Sequence, residues 1–284
     1  MKKLLLVGLL LQSIWAFSQE KIEVQEKDWA IADAMQPAFI VDIPQTTGKK
    51  AINLWEKTLV PKNIFDAFKN LPKMEKEEKN KWVIRQLVID AICADTLDVY
   101  TRISENQAGI TFATLFDNNG TFIGSQSNSV AAEKANAYVR SYAIELYKQA
   151  VQDEIDDLEK ELKKMRNNYS SYEKDNKKLE RKASDLRAEI VSTNNDLSNT
   201  KMMIKTKQLS TADGSVTPLS EEALEELRDD EKATAKAIKK LKKGVKSCEK
   251  KIDKNVEKQK DLNREIQQQE NEIQVVTQKL NNIK

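Results

Sequence analysis

Histidine is absent from this chain, and cysteine is nearly so, with only Cys93 and Cys248 in 284 residues. Without an imidazole there is no Ser-His or Cys-His nucleophile pair and none of the usual histidine-bearing zinc sites. Two cysteines set no disulfide framework. They read as two small buried thiols or, in an oxidising compartment, as one intermolecular bridge. Proline (5) and glycine (7) are scarce, and aromatic residues make up 6%. That composition suits a small domain plus a solvated helical segment better than one large globular core. Charge of one sign is missing too. Lysine and arginine total 47 against 45 acidic residues, and without Lys2 and Lys3 the signs balance. No bulk charge therefore marks a nucleic-acid binder.

What is present is a heptad repeat. From Val151 to Ile204, apolar positions alternate in steps of four and three through Ile155, Leu158, Leu162, Leu179, Leu186 and Ile190. From Leu224 to Ile283 they do so through Ile238, Leu241, Val245, Ile252, Ile266, Ile273 and Leu280. A stripe of period 3.5 calls for a left-handed coiled coil. Between the arms lies Ser210 to Pro218 with Asp213-Gly214, which is turn chemistry. Pro218 fits the first turn of a new helix with Thr217 as N-cap, and Ser220 is the rival cap. The fold expected is an α+β head, an antiparallel sheet with helices on one face, followed by a long antiparallel coiled-coil hairpin. Its arms measure roughly 90 Å at 1.5 Å per residue. In the favoured register Asn176 faces Asn255, and two lone amides at one level fix the register. A parallel homodimer is the rival arrangement.

The N-terminus reads as an export signal over residues 1–18. Met1-Lys2-Lys3 is basic, Leu4 to Leu11 is apolar, and Ala16-Phe17-Ser18 suits cleavage near Ser18. No later stretch is apolar enough to cross a bilayer. A periplasmic or secreted protein is expected, with no transmembrane segment after cleavage. Residues 19–36 form a polar lead-in, helix or tether. The head spans 37–145, the arms 146–209 and 220–284, and the turn 210–219. Within the head, Ala38 to Ile43 is a strand. Thr46 and Thr47 can cap a helix bearing Ala51, Trp55 and Leu59, and Phe65, Phe68 and Leu71 suggest a short amphipathic segment. Trp82 to Ile92, Leu97 to Ile103, Ile110 to Phe116 and Thr121 to Gly124 are strands, with a hairpin at Asn119-Gly120. Thr47-Gly48-Lys49-Lys50 is no phosphate loop, since the earlier glycine and the hydroxyl after lysine are missing.

Two segments of the head, AINLWEKTLV and DTLDVYTRISENQAGITFATLFDNNGTFIGS, resemble an uncharacterised family of exported Bacteroidetes proteins. The likeness covers roughly Ala38 to Leu162. It implies a small head of TBP-like fold followed by a C-terminal coiled coil, and it implies no chemistry. Asn118-Asn119-Gly120 stands where a Leu-Gly-Gly-like turn is expected.

Charge along the arms is segregated. Lys236, Lys239, Lys240, Lys243, Lys246, Lys250 and Lys254 form a basic strip. It reads as a solvated face or as a docking strip for an anionic partner. Tyr169 and Tyr172 fall on heptad positions and read as packing. The clustered carboxylates lack calcium-loop spacing, so neither metal nor cofactor is expected. Asp42, Asp90 and Asp98 could serve acid-base chemistry only if two of them converged. The expectation is a non-enzymatic envelope interaction or spacer protein with a protein partner, no nucleic acid, and homo-oligomerisation left open. The alternative is a periplasmic holdase similar to the Skp chaperone, for outer-membrane clients.

Overall fold

The computed structural model describes residues 21–31, 34–60, 72–210 and 216–284. The export signal, Phe65 to Leu71 and the Asp213-Gly214 turn lie outside the described residues. The chain divides into two compact units. One runs through Leu158 and includes Glu272–Lys284; the other is Glu159–Asn271.

The first unit is α+β. Strands β1 (Gln25–Ile31) and β2 (Ala34–Pro44) precede helix α1 (Gly48–Leu59). Then come β3 (Glu75–Glu78), β4 (Lys81–Val88), β5 (Thr96–Glu105), β6 (Gly109–Asn118) and β7 (Thr121–Phe122), followed by α2 (Ser129–Thr206). The seven strands form one antiparallel sheet in the order β1-β2-β6-β5-β4-β3, with β7 also paired to β6. Alternation decides which side is core. Leu97, Val99, Thr101 and Ile103 are buried on β5, whereas Arg102 and Ser104 are exposed. Phe39, Val41 and Ile43 on β2 and Ile110, Phe112 and Phe116 on β6 join the same cluster.

Helix α1 starts at Thr47, whose side chain accepts the Lys50 N–H. It lays Ala51, Trp55 and Leu59 on the core. Trp55 is fully buried. Its ring meets Phe112 and Tyr142 edge-on at 5.1 and 4.6 Å, and its Nε1–H donates to Thr101 Oγ1 at 2.9 Å. The indole thus fills space while its one polar group stays satisfied. Helix α2 is capped by Asn128, whose Oδ1 accepts the Ala131 N–H at 3.0 Å. Its first turns bury Ala135, Val139, Tyr142, Ala143 and Leu146.

Within the sheet the lead-in and β4, which ends at Val88 short of the expected Ile92, depart from the sequence reading. The lead-in over 19–36 contains β1, a polar edge strand held by its backbone pairing to β2 from Gln25↔Ile40 to Ile31↔Ala34. And β4 carries a bulge. Gln86 has φ 56 and its N–H is taken by Asp98 Oδ1 at 2.9 Å, shifting the register between Ile84 and Leu87.

The base of each arm belongs to the first unit. Val151 and Ile155 from α2, with Val276 and Ile283, are part of its core. That is why the boundary falls after Leu158 rather than at the expected 145. Arg140 Nη2 donates to the Lys284 carbonyl at 3.1 Å, and Lys279 Nζ donates to Gln45 Oε1 at 2.6 Å.

In the second unit, α2 ends at Thr206, where Lys207 turns the backbone at φ 54. β8 (Gln208–Ser210) pairs antiparallel with β9 (Val216–Pro218), and α3 (Glu221–Asn282) follows. Pro218 therefore closes a strand instead of opening a helix. The cap is Ser220, whose Oγ accepts the Ala223 N–H at 3.2 Å. Glu221 and Glu222 occupy the first turn, where the helix dipole favours them.

Candidate interaction surface

Burial along α2 and α3 follows the heptads. Each apolar position of the repeat, and each polar one that keeps step with it, is buried or half-buried from Val151 to Ile204 and from Leu224 to Ile283. Within the second unit the bonds between the helices run in opposite order. Arg166 meets Glu270 at 2.7 Å, Arg187 meets Glu249 at 2.8 Å, and Lys201 meets Glu231 at 3.7 Å. These pairs are exposed, so each is worth only a few tenths of a kcal/mol to about 1 kcal/mol. The apolar stripe carries most of the association.

At mid-length the stripe turns polar. Asn255 Nδ2 donates to Asn176 Oδ1 at 2.9 Å, and Asn176 Nδ2 donates to Gln259 Oε1 at 3.2 Å. Asn176 is 9% exposed, so an unmet amide there would be costly. The sequence pointed to the two asparagines; Gln259 completes the chain of bonds. Close by, the residues are small. Ala183 and Cys248 are buried, and a Cβ on Gly244 would stand 3.1 Å from Leu186 Cδ1. Tyr172 is half-buried with the Lys258 ammonium 5.3 Å from its ring centre, a cation–π contact rather than simple packing.

The lysines lie on the other side of α3. Lys236, Lys239, Lys240, Lys243, Lys246, Lys250 and Lys254 are all exposed. At about 100° per residue they fall on an arc opposite the stripe through Ile238, Val245 and Ile252. From Lys232 through Cys248 the chain has seven lysines, Lys232 included, and no acidic residue. Among the described residues, none of the strip lysines is ion-paired to a carboxylate. From Lys236 to Lys246 the strip is thus a positive surface without an acidic residue in its own segment, and Glu249 and Asp253 follow only towards Lys250 and Lys254; its attraction for anions falls with salt.

Asp42 and Asp98, which could serve acid-base chemistry only if they converged, lie apart. Asp42 sits opposite Thr111 and Asp98 opposite Asp117, six residues apart along β6, so they are separated by roughly 20 Å. Asp42 accepts the Thr111 hydroxyl, and Asp90 is exposed. The sequence did not reveal that Asp98 and Asp117 are cross-strand neighbours. Each accepts a backbone N–H, from Gln86 and Gly120 respectively. Cys93 is half-buried and Cys248 buried, both as free thiols. Among the described residues no helix is long and apolar enough to cross a membrane.

Comparison of the chain with protein-family models, with curated proteins and with solved structures gives no match.

Proposed function

We propose that residues 159–271 form an antiparallel coiled-coil hairpin, and that the protein is a non-enzymatic interaction protein of the cell envelope whose lysine strip docks an acidic protein partner. The observation that carries this reading is the strip itself. Seven exposed lysines share one face of α3, and among the described residues no carboxylate is bonded to any of them. A solvated helix face with no partner gains nothing from such segregation. Mixed signs would give it solubility and intrahelical pairs at no electrostatic cost. The hairpin is supported by the unbroken burial stripe and by the opposite order of the bonds between α2 and α3. The order strand, helix, five strands, helix from β2 onward, the last strand being the two-residue β7, supports the TBP-like head that the family resemblance implies. The basic start and apolar run of residues 1–18, read as an export signal, support a periplasmic or secreted location.

The test is site-specific photocrosslinking of the full chain in its native envelope, with the probe at Lys243 and, as a control, at Val88 on the sheet. The expected result is an acidic protein captured at 243 and not at 88. Its yield falls with added salt and is abolished by Lys239→Glu/Lys246→Glu. Equal capture at both sites, or capture indifferent to the charge reversal, removes the reading. Suppression of aggregation of unfolded outer-membrane polypeptides by the wild type alone would point to a holdase instead.

A further inference from the structure

Around the corner from the strip, α2 and α3 border an open groove of about 390 Å³, lined by Asp175, Lys178, Leu179, Lys251, Lys254, Asn255 and Lys258. That volume lies within the range of small-ligand sites. Its chemistry is one-sided, with four ammonium groups and one carboxylate. Asp175 is already engaged, 3.7 Å from Lys178. Among the described residues no carboxylate is bonded to Lys251, Lys254 or Lys258.

The groove is also held in shape. Directly beside it is the amide chain of Asn255, Asn176 and Gln259, which sets the two helices at one level and so fixes the lysines of α3 against those of α2. Lys258 is further placed by the Tyr172 ring. Lysine is a compact point charge with three donors, and it serves phosphate oxygens without needing the planar fork of arginine. With Lys178 paired to Asp175, the ammonium groups of Lys251, Lys254 and Lys258 along one side of the groove repel each other until an anion of several charges enters. A single carboxylate partner would satisfy only one of them.

We infer that this groove binds a ligand carrying clustered phosphate groups, either free in solution or on a lipid headgroup. The inference goes beyond the docking strip and does not depend on it, because the two surfaces use different lysines apart from Lys254.

The experiment titrates the full mature chain at low salt with inorganic pyrophosphate, followed by calorimetry. In parallel it measures cosedimentation with phosphatidylcholine vesicles with and without cardiolipin. Three variants accompany the wild type: Lys251→Gln/Lys254→Gln/Lys258→Gln in the groove, the same three positions changed to arginine, and Lys239→Gln/Lys240→Gln/Lys243→Gln on the strip. Circular dichroism melts establish that each is folded. The expected result is saturable binding with one ligand per groove, weakened about tenfold or more by the glutamine groove variant. The arginine variant and the strip variant should keep most of it. Pyrophosphate binding with that pattern identifies a free ligand; cardiolipin-dependent sedimentation with that pattern identifies a headgroup. Absence of saturable binding to both probes overturns the inference, as does equal loss in the groove and strip variants, which would mean diffuse charge. A failed groove with an intact acidic partner at Lys243 would leave the docking reading standing, and the reverse holds as well.

Discussion

Asn255 Nδ2 stands 2.9 Å from Asn176 Oδ1, and Asn176 hands its own amide proton to Gln259 Oε1 at 3.2 Å. Three polar side chains thus satisfy one another in a stripe that is otherwise largely apolar. Their worth lies in what they forbid: a shift of one heptad would leave each asparagine against an apolar partner. Asn176→Leu is expected to destabilise by about 1–3 kcal/mol, because it strands two amides at once. Asn176→Leu/Asn255→Leu should recover most of that loss while relaxing the register. Spin labels at 179 and 252 should report one distance in the wild type and more than one in the double variant. A single unchanged distance there would deny the amides their register role.

The last residues of the chain belong to the core of the first unit. Ile283 is 6% exposed and Val276 5%. Deleting residues 281–284 removes the Ile283 side chain, worth about 1.5–3 kcal/mol, and the Arg140 bond to the Lys284 carbonyl. Ile283→Asp should cost more, since it buries an unpaired carboxylate. Urea unfolding followed by tryptophan fluorescence measures both, with Trp55 as the reporter in that core. An unchanged midpoint would detach the C-terminus from the unit.

Tyr142 supplies an alkaline test. Burial holds its phenol well above the ordinary value of 10.0, and Tyr138 is raised for the same reason. In the unfolded chain both titrate near the ordinary value. A raised folded-state value therefore contributes stability that is whole below about pH 10 and is lost as pH climbs above it. Tyr142 also donates to the Ala51 carbonyl at 2.8 Å. Tyr142→Phe should lower stability at neutral pH by about 1 kcal/mol and flatten the decline above pH 10. Denaturant midpoints across that range check the slope. An equally steep decline in the variant would assign it to other groups.

Gly244 separates two effects of opposite sign. Alanine in a helix interior is favoured over glycine by about 1 kcal/mol. Against this, the added Cβ would stand 3.1 Å from Leu186 Cδ1, the far end of a side chain that can yield. Gly244→Ala is thus expected to stabilise by somewhat less than about 1 kcal/mol. Gly244→Leu overfills the contact and should cost about 1–3 kcal/mol. Thermal melts of the two variants should move in opposite directions.

The heptads, the cap at Thr47, the Asn119-Gly120 hairpin and the lysine strip were legible in the sequence, because each is a local pattern; at the start of α3 it offered Thr217 ahead of Ser220, which is the cap. A period of 3.5 residues needs no knowledge of the partner to declare which side of a helix is buried. Asn119 and Gly120 adopt φ 51 and φ 89, as asparagine's tolerance of that region and glycine's missing Cβ suggest. β1 was not legible. Gln25 to Ile31 is an edge strand whose cohesion comes from hydrogen bonds to β2, and those leave no hydrophobic signature. The bulge at Gln86 was hidden for the same reason, since Asp98 on another strand takes its N–H.

By itself, then, the sequence determined where the two long helices run, which side of each avoids water, and where positive charge collects, since these follow from spacing along one segment. Only the tertiary structure decided that Val276 and Ile283 complete the first unit's core, that Gln259 finishes the amide chain, and that lysines of two helices converge on one groove. Those are meetings between residues tens to hundreds of positions apart. A buried side chain or a polar atom takes whatever partner folding brings to it, and no pattern along the chain records which one that is.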